Sequence, residues 1–150
     1  MFNSILIVCR ANICRSPVAE ALMKLRLPTH SIESAGLSMN VMEGQGIPAI
    51  AQELAKKEGL DLSKHRSRCI QREMIESADL VLVMSESQRL SIGELSPEAT
   101  GKTMLFGRWL RGGGAQGMEI PDPYRKSREA YAHVHRLLVK AADEWQVRLT

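Results

Sequence analysis

Two stretches of this chain are aliphatic almost without interruption: Ile5–Val8, and Asp79–Met84, which reads DLVLVM. A strand with one face in water alternates apolar and polar residues, whereas a strand that does not alternate must be covered on both faces, as in a parallel sheet packed between helices. The helices such a sheet requires are legible. Val18, Ala21, Leu22 and Leu25 recur at helical spacing before Pro28, and Ile50, Leu54 and Ala55 do so between Pro48 and Gly59, a natural stop. Ser87–Leu95 reads as a short helix. The clearest one follows Ser127, its N-cap, with Ala130, Tyr131, Val134, Leu137, Leu138, Ala141, Trp145 and Leu149 at intervals of three or four. Shorter strands are expected at Ser31–Ser34, ahead of a turn-prone Ala35-Gly36, and at Thr103–Phe106. The segment RGGGAQG at 111–117 reads as a flexible loop. The expected fold class is therefore α/β, a three-layer sandwich with a central parallel sheet flanked by helices. At 150 residues the chain can bury one sizeable core but not two, so a single domain over 1–150 is expected.

The first strand runs into an unusual segment. Residues 5–17 read ILIVCRANICRSP, with two cysteines and two arginines ahead of a helix start at which Ser16 suits the N-cap and Pro17 the first helical position. Three chemistries use such a cluster: a metal site, a disulfide or a nucleophile. Zinc needs about four ligands, and Cys9 and Cys14 have the wrong spacing for a zinc knuckle, while Cys69 and the four histidines are scattered. Three cysteines are too few for the disulfide framework of a secreted protein. The start of the chain has no basic segment, and its apolar run is shorter than the roughly 7–15 residues of a signal peptide. No run of about 18 apolar residues could span a membrane. A cytoplasmic protein without membrane insertion is expected. The formal charge of +3 is slight and dispersed, which gives no indication of nucleic-acid binding and suits an anionic substrate.

The nucleophile reading has a physical rationale. Between Cys9 and Arg15 lie five residues, Arg10, Ala11, Asn12, Ile13 and Cys14, enough to curl into a ring whose N–H groups point inward and form a nest for a phosphate at the following helix's N-terminus. Arg15 adds a planar fork able to hold two phosphate oxygens at once. The same groups favour a thiolate, so the Cys9 pKa is expected to fall from about 8.5 to roughly 3.5–7.5. The spacing also fits a buried cysteine closing a strand beside surface arginines; the strand before it and the Ser-Pro start after it favour the loop. Phosphoryl transfer from an ester needs an acid for the leaving oxygen. In EIPDPYRKSRE, 119–129, Asp122 stands between two prolines that restrict its backbone, and Tyr124 could wall the site and stack on an aromatic ring. By itself the D-P-Y segment reads better as an ordinary turn with a partly packed tyrosine.

CRANICRSP near the N-terminus together with DPY near the C-terminus strongly resembles the low-molecular-weight protein tyrosine phosphatases. The likeness extends to SAGL at 34–37, HRSR at 65–68 and DLVLVM at 79–84, and is closest to the bacterial branch that accompanies tyrosine autokinases of capsule and exopolysaccharide export. The resemblance implies a phosphate-binding loop over Arg10–Ser16, with Cys9 as nucleophile, Arg15 holding the phosphate oxygens and Asp122 as acid and then base. It implies no metal and no organic cofactor. It also implies a supporting network of Asn12, Ser16, Ser34 and His65, although Ser16 read alone is a helix cap and His65 a solvated basic turn. Cys14 is implied to protect an oxidised Cys9 by forming a disulfide with it; alternatively it is a small packed residue. The implied partner is a phosphotyrosine-containing protein, a tyrosine autokinase; a monomer is the default expectation.

This chain departs from the family pattern. Ala11 stands where the family commonly has Gly, Arg10 replaces a usually uncharged residue, and the pocket aromatic that often follows S-A-G is missing, leaving Leu37 or Met39 to line the substrate pocket with Tyr124. Three rivals share such a loop. Arsenate reductases of this fold need a further pair of cysteines, and only Cys69 remains; phosphocarrier domains need neither Arg15 nor Asp122; a phosphotyrosine-binding module without turnover is compatible with Ala11.

Overall fold

The structure, a computed structural model, describes residues 2–38 and 44–150. Strands β1 (Ser4–Cys9), β2 (Ser31–Gly36), β3 (Leu80–Val83) and β4 (Thr103–Leu105) form one sheet in the order β2-β1-β3-β4, parallel throughout. The helices are α1 (Ser16–Arg26), α2 (Ala49–Lys57), α3 (Arg72–Ser77), α4 (Glu86–Leu95) and α5 (Arg128–Leu149), with one 3₁₀ turn at Pro97–Lys102.

The uninterrupted aliphatic runs are explained by the two-residue period of a strand. On β1, Ile5, Ile7 and Cys9 join Leu22, Met23, Val134, Leu138 and Trp145 in a core with α1 and α5, while Leu6 and Val8 face Ile75 of α3 and Ile92 of α4 on the opposite side. Leu80 and Leu82 of β3 take the first side, Val81 and Val83 the second. Both faces are therefore dry, and the sandwich is the expected one. No helix among the described residues is long and apolar enough to cross a membrane.

Several local expectations need correction. Ser16 is not the cap of α1. Arg15 occupies that position, no side chain caps the helix, and Ser16 and Pro17 are its first residues, with the serine hydroxyl committed elsewhere. Ala35 and Gly36 do not turn; they extend β2 alongside Val8 and Cys9. The six residues of α3 and the 3₁₀ turn after α4 were not expected, because neither is long enough to display a hydrophobic period. At 111–117 the chain folds back on itself, with antiparallel bridges Gly107–Met118 and Gly114–Gly117 and an Arg108 Nη1–H donated to Ala115 O at 2.8 Å. Gly113 approaches the Gly117 backbone too closely for any Cβ, and Gly117 has φ +103°, so both positions require glycine. Ser127 does cap α5, accepting from Ala130 N at 3.2 Å.

Candidate active site

The site lies where parallel-sheet proteins place one, beyond the C-terminal ends of the strands. Cys9 ends β1 with 2% exposure, and the loop from Arg10 to Arg15 turns its chain into α1. Asn12 makes that turn possible. Its φ is +59°, a left-handed angle that Asn tolerates better than most residues, and its amide then points back at the nucleophile candidate, Asn12 N–H to Cys9 Sγ at 3.3 Å. The amides of Ala11, Ile13, Cys14 and Arg15 donate to no other backbone group among the described residues, as the anion-nest reading requires.

Every polar group of Asn12 is used, and the residue is fully buried. Its Nδ2 donates to Ser16 Oγ at 2.8 Å and to Ser34 Oγ at 2.9 Å; its Oδ1 accepts from Arg68 N at 3.1 Å; its carbonyl accepts from His65 Nε2 at 2.8 Å. Since Ser16 Oγ accepts from Asn12, its own proton is free to point at Cys9 Sγ, 3.0 Å away. Ser34 likewise accepts from Asn12 and donates to Glu20 Oε1, which is paired through the other carboxylate oxygen with Lys24 at 2.6 Å. All four expected support residues, Asn12, Ser16, Ser34 and His65, thus meet in one network. Two members were missed: Glu20, and Arg68, whose Nε donates to Ser34 O at 3.0 Å. Arg68 belongs to the HRSR segment, a signal that was available; Glu20 gave none.

Arg15 is buried and reaches across to the segment that carries Asp122. Nη1 donates to Ile120 O at 2.8 Å, Nη2 stands 3.7 Å from Asp122 Oδ2, and Nε–H is buried without a partner in the protein. A buried guanidinium N–H costs free energy unless an acceptor reaches it, and an oxyanion seated in the loop would supply one. Ile120 is held from the other side too, its amide donating to Met84 O at 2.9 Å beyond the end of β3. That segment is thereby fixed to sheet and arginine before Pro121 and Pro123 bracket Asp122. The Asp122 side chain is 38% exposed, and its Oδ1 accepts from Tyr124 N at 3.0 Å, which directs the carboxyl group toward the loop.

A cavity of about 380 Å³ opens over the loop, lined by Cys9, Ala11, Arg15, Asp122 and Tyr124 among others. Tyr124 walls it as expected, with the Arg125 guanidinium 5.2 Å from its ring; Arg125, Ser38 and Gln45 also line it and were not anticipated. Leu37 does not. It lines an adjoining cavity and packs under the sheet, since β2 continues to Gly36 and carries the next residue past the loop. Met39 lies outside the described residues. Ala11 places its methyl against the cluster of Ile13, Cys14, Ile47 and Tyr131, at a backbone angle open to any residue.

Neither Cys9 nor Cys14 is in a disulfide. Cys14 is buried, its Sγ 3.9 Å from Tyr131 Oη. Burial, foremost, pushes its pKa up to about 12 despite the contact with Tyr131, and burial together with the Cys14 sulfur raises that of Tyr131 to about 12. Cys14 is thus held as a neutral thiol at neutral pH. Among the described residues no three His, Cys, Asp or Glu side chains cluster as metal ligands.

Residues 4–150 match the family described as low molecular weight phosphotyrosine protein phosphatase. The low molecular weight protein-tyrosine-phosphatase Etp of Escherichia coli is 43% identical over 99% of this chain and 96% of its own. The crystal structure of the tyrosine phosphatase Wzb from Escherichia coli in complex with sulphate superposes with a TM-score of 0.91 at 42% identity, covering all of both chains. Vibrio vulnificus Wzb in complex with benzylphosphonate gives 0.91 at 38% identity over 99% of each.

Proposed function

The chain belongs to the low molecular weight phosphotyrosine protein phosphatase family and is a protein-tyrosine-phosphatase, and from that premise we propose that it works through a cysteinyl-phosphate on Cys9. The Cys9 thiolate attacks phosphorus in line with the ester oxygen, the P–O bond breaks, and the electron pair leaves with the tyrosyl oxygen, which takes its proton from Asp122. Water then attacks the phosphorus and gives a proton to the Asp122 carboxylate. The P–S bond breaks, and the sulfur regains its charge beside the Ser16 hydroxyl and the Asn12 amide. Arg15 and the loop amides hold the non-bridging oxygens throughout, where charge must be stabilised as the phosphoryl group transfers.

The observation that carries this reading is the meeting of three groups around one cavity: a sulfur that accepts from Asn12 N and Ser16 Oγ, an arginine with an unpartnered buried Nε–H, and a carboxylate 3.7 Å from that arginine. A metal or cofactor has no part in these steps. Tyr124 at the cavity wall suits an aromatic ester, and a relative binds benzylphosphonate, an aromatic phosphonate. The substrate is a phosphotyrosyl protein, a tyrosine autokinase of exopolysaccharide or capsule production or its targets, acted on by a monomer in the cytoplasm.

Phosphate release from matched phosphotyrosyl and phosphoseryl peptides tests the reading. Turnover of the phosphotyrosyl peptide with little or none of the phosphoseryl one is expected. Binding of both without release would support a non-catalytic module instead.

A further inference from the structure

The cavity over the loop is not isolated. Arg10, Arg15, Ser38 and Asp122 also line a second one, about 820 Å³, which continues from the mouth of the site between the end of β2 and helix α4. Its volume lies in the upper part of the range for bound small molecules, more than the phosphate cavity needs. Its walls differ in character. Leu37, Ile70 and Leu95 are apolar, while Ser87, Gln88 and Ser91 present polar groups along one face of α4.

Arg10 stands at the junction of the two cavities. Its carbonyl accepts from Ser38 N at 2.9 Å, which anchors the root of the side chain there. The side chain is exposed, and no carboxylate among the described residues pairs with it. The other cations that line the second cavity are engaged, Arg15 with Ile120 O and Asp122 and Arg72 with Glu76 at 3.2 Å, while Arg125, on the far wall of the phosphate cavity, lies over the Tyr124 ring. Of the two acidic residues that line the second cavity, Asp122 faces Arg15, and Glu94 is in the last turn of α4, about 13 Å along the helix from Ser85 at 1.5 Å per residue. Among the described residues the uncompensated charge next to the phosphate cavity is therefore positive.

We propose that the second cavity receives the polypeptide flanking the phosphotyrosine, and that Arg10 selects substrates with an acidic side chain within a residue or two of it. This rests on the phosphatase reading above and adds a specificity-determining residue to it. Neighbouring residues of an extended peptide are about 3.3–3.6 Å apart along the chain, so such a side chain comes within reach of a guanidinium that borders the phosphate cavity itself. An Arg and a carboxylate at this mouth, partly in water, contribute as exposed pairs do, which amounts to about a two- to fivefold preference that added salt diminishes.

The test compares kcat/KM for phosphotyrosyl peptides that differ only in Glu, Gln or Lys at each of the two positions on either side of the phosphotyrosine, with free phosphotyrosine as reference. The enzyme is expected to prefer Glu over Gln by about two- to fivefold at one or more positions at low salt. Arg10→Gln is expected to abolish that ratio and Arg10→Glu to reverse it in favour of Lys, whatever either change does to the absolute rate. No preference in the parent enzyme, or one that survives in Arg10→Gln, overturns the assignment of Arg10 while leaving the phosphatase reading intact. Failure to release phosphate from free phosphotyrosine and from every peptide overturns both.

Discussion

Arg15 and Asp122 face each other across the mouth of the phosphate cavity, Nη2 to Oδ2 at 3.7 Å, although one belongs to the loop after the first strand and the other to the segment ahead of the last helix. The contact brings Asp122, the proposed acid, to the loop that follows Cys9, the proposed nucleophile. A carboxyl group so placed matters in proportion to how basic the leaving oxygen is. Asp122→Asn is expected to lose about 10²- to 10⁴-fold in kcat on phosphotyrosine and markedly less on esters of acidic phenols. A series of aryl phosphates of graded leaving-group pKa checks this; equal losses across the series would reduce Asp122 to a structural partner of Arg15.

Asn12 is expected to be the most sensitive support residue. Its removal leaves the Ser16 and Ser34 hydroxyls and the Arg68 amide short of a buried partner at once. Asn12→Ala should destabilise the protein by about 1–3 kcal/mol and lower turnover, whereas Ser34→Ala, which removes one Asn12 acceptor and the donor to a Glu20 carboxylate that keeps Lys24, should cost less in both. Denaturant unfolding alongside steady-state kinetics makes the comparison. A Ser34→Ala loss as large as that of Asn12→Ala would contradict the central position given to Asn12.

Alkaline pH should weaken the fold through Cys14 and Tyr131. Folding raises Cys14 from 9.0, and Tyr131 from 10.0, to about 12 in each case. A group whose pKa is raised on folding contributes its full stability below the unfolded value and loses it as pH climbs toward the folded one, because the unfolded chain releases the proton first. The thermal midpoint should therefore fall between about pH 9 and 12, and Cys14→Ser should flatten that fall. An identical pH profile in the variant would contradict the burial account.

The same buried thiol bears on oxidation. If Cys14 traps a Cys9 sulfenic acid, it must attack as a thiolate, and with a pKa of about 12 its thiolate fraction rises about tenfold per pH unit through neutrality. With the sulfenic acid formed beforehand, the rate of Cys9–Cys14 disulfide formation followed by mass spectrometry should climb accordingly from pH 6 to pH 8. No linkage at any pH would make Cys14 a packing residue only.

Ala11 should prove harmless. Of the non-glycine residues described, only Asn12 and Arg125 have positive φ, so the loop does not need glycine at 11, and the methyl group packs beside Ile13, Cys14 and Tyr131. Ala11→Gly is expected to lower stability by about 0.4–1 kcal/mol without raising turnover. A severalfold gain in kcat would show that the methyl crowds the phosphate.

The segment from Ile5 to Leu25 was legible because its message is local: a doubly buried strand, a loop with Cys and Arg at its ends, and a Ser-Pro helix start. The role of Ser16 was implied only by resemblance, since a serine at that point reads as a cap whatever stands in front of it; only the folded chain turns its hydroxyl to Cys9. Glu20 and Gln45 were illegible, because they reach the site through contacts with distant residues and carry no pattern of their own. Arg68 was visible as part of a motif, but its bond to the Ser34 carbonyl depends on where β2 ends, a boundary the sequence placed two residues early. Leu37 moved to the second cavity for the same reason.

In the proposed mechanism Cys9 carries the phosphoryl group. Rapid acid quenching of the enzyme during turnover of a phosphotyrosyl peptide, followed by mass-spectrometric mapping, observes that intermediate directly. A phosphoryl group on Cys9 in the parent protein is expected, with neither adduct on that residue nor turnover in Cys9→Ser, which should still bind inorganic phosphate. Phosphate release persisting in Cys9→Ser, or a phosphoryl group formed on another residue at the rate of turnover, would contradict it.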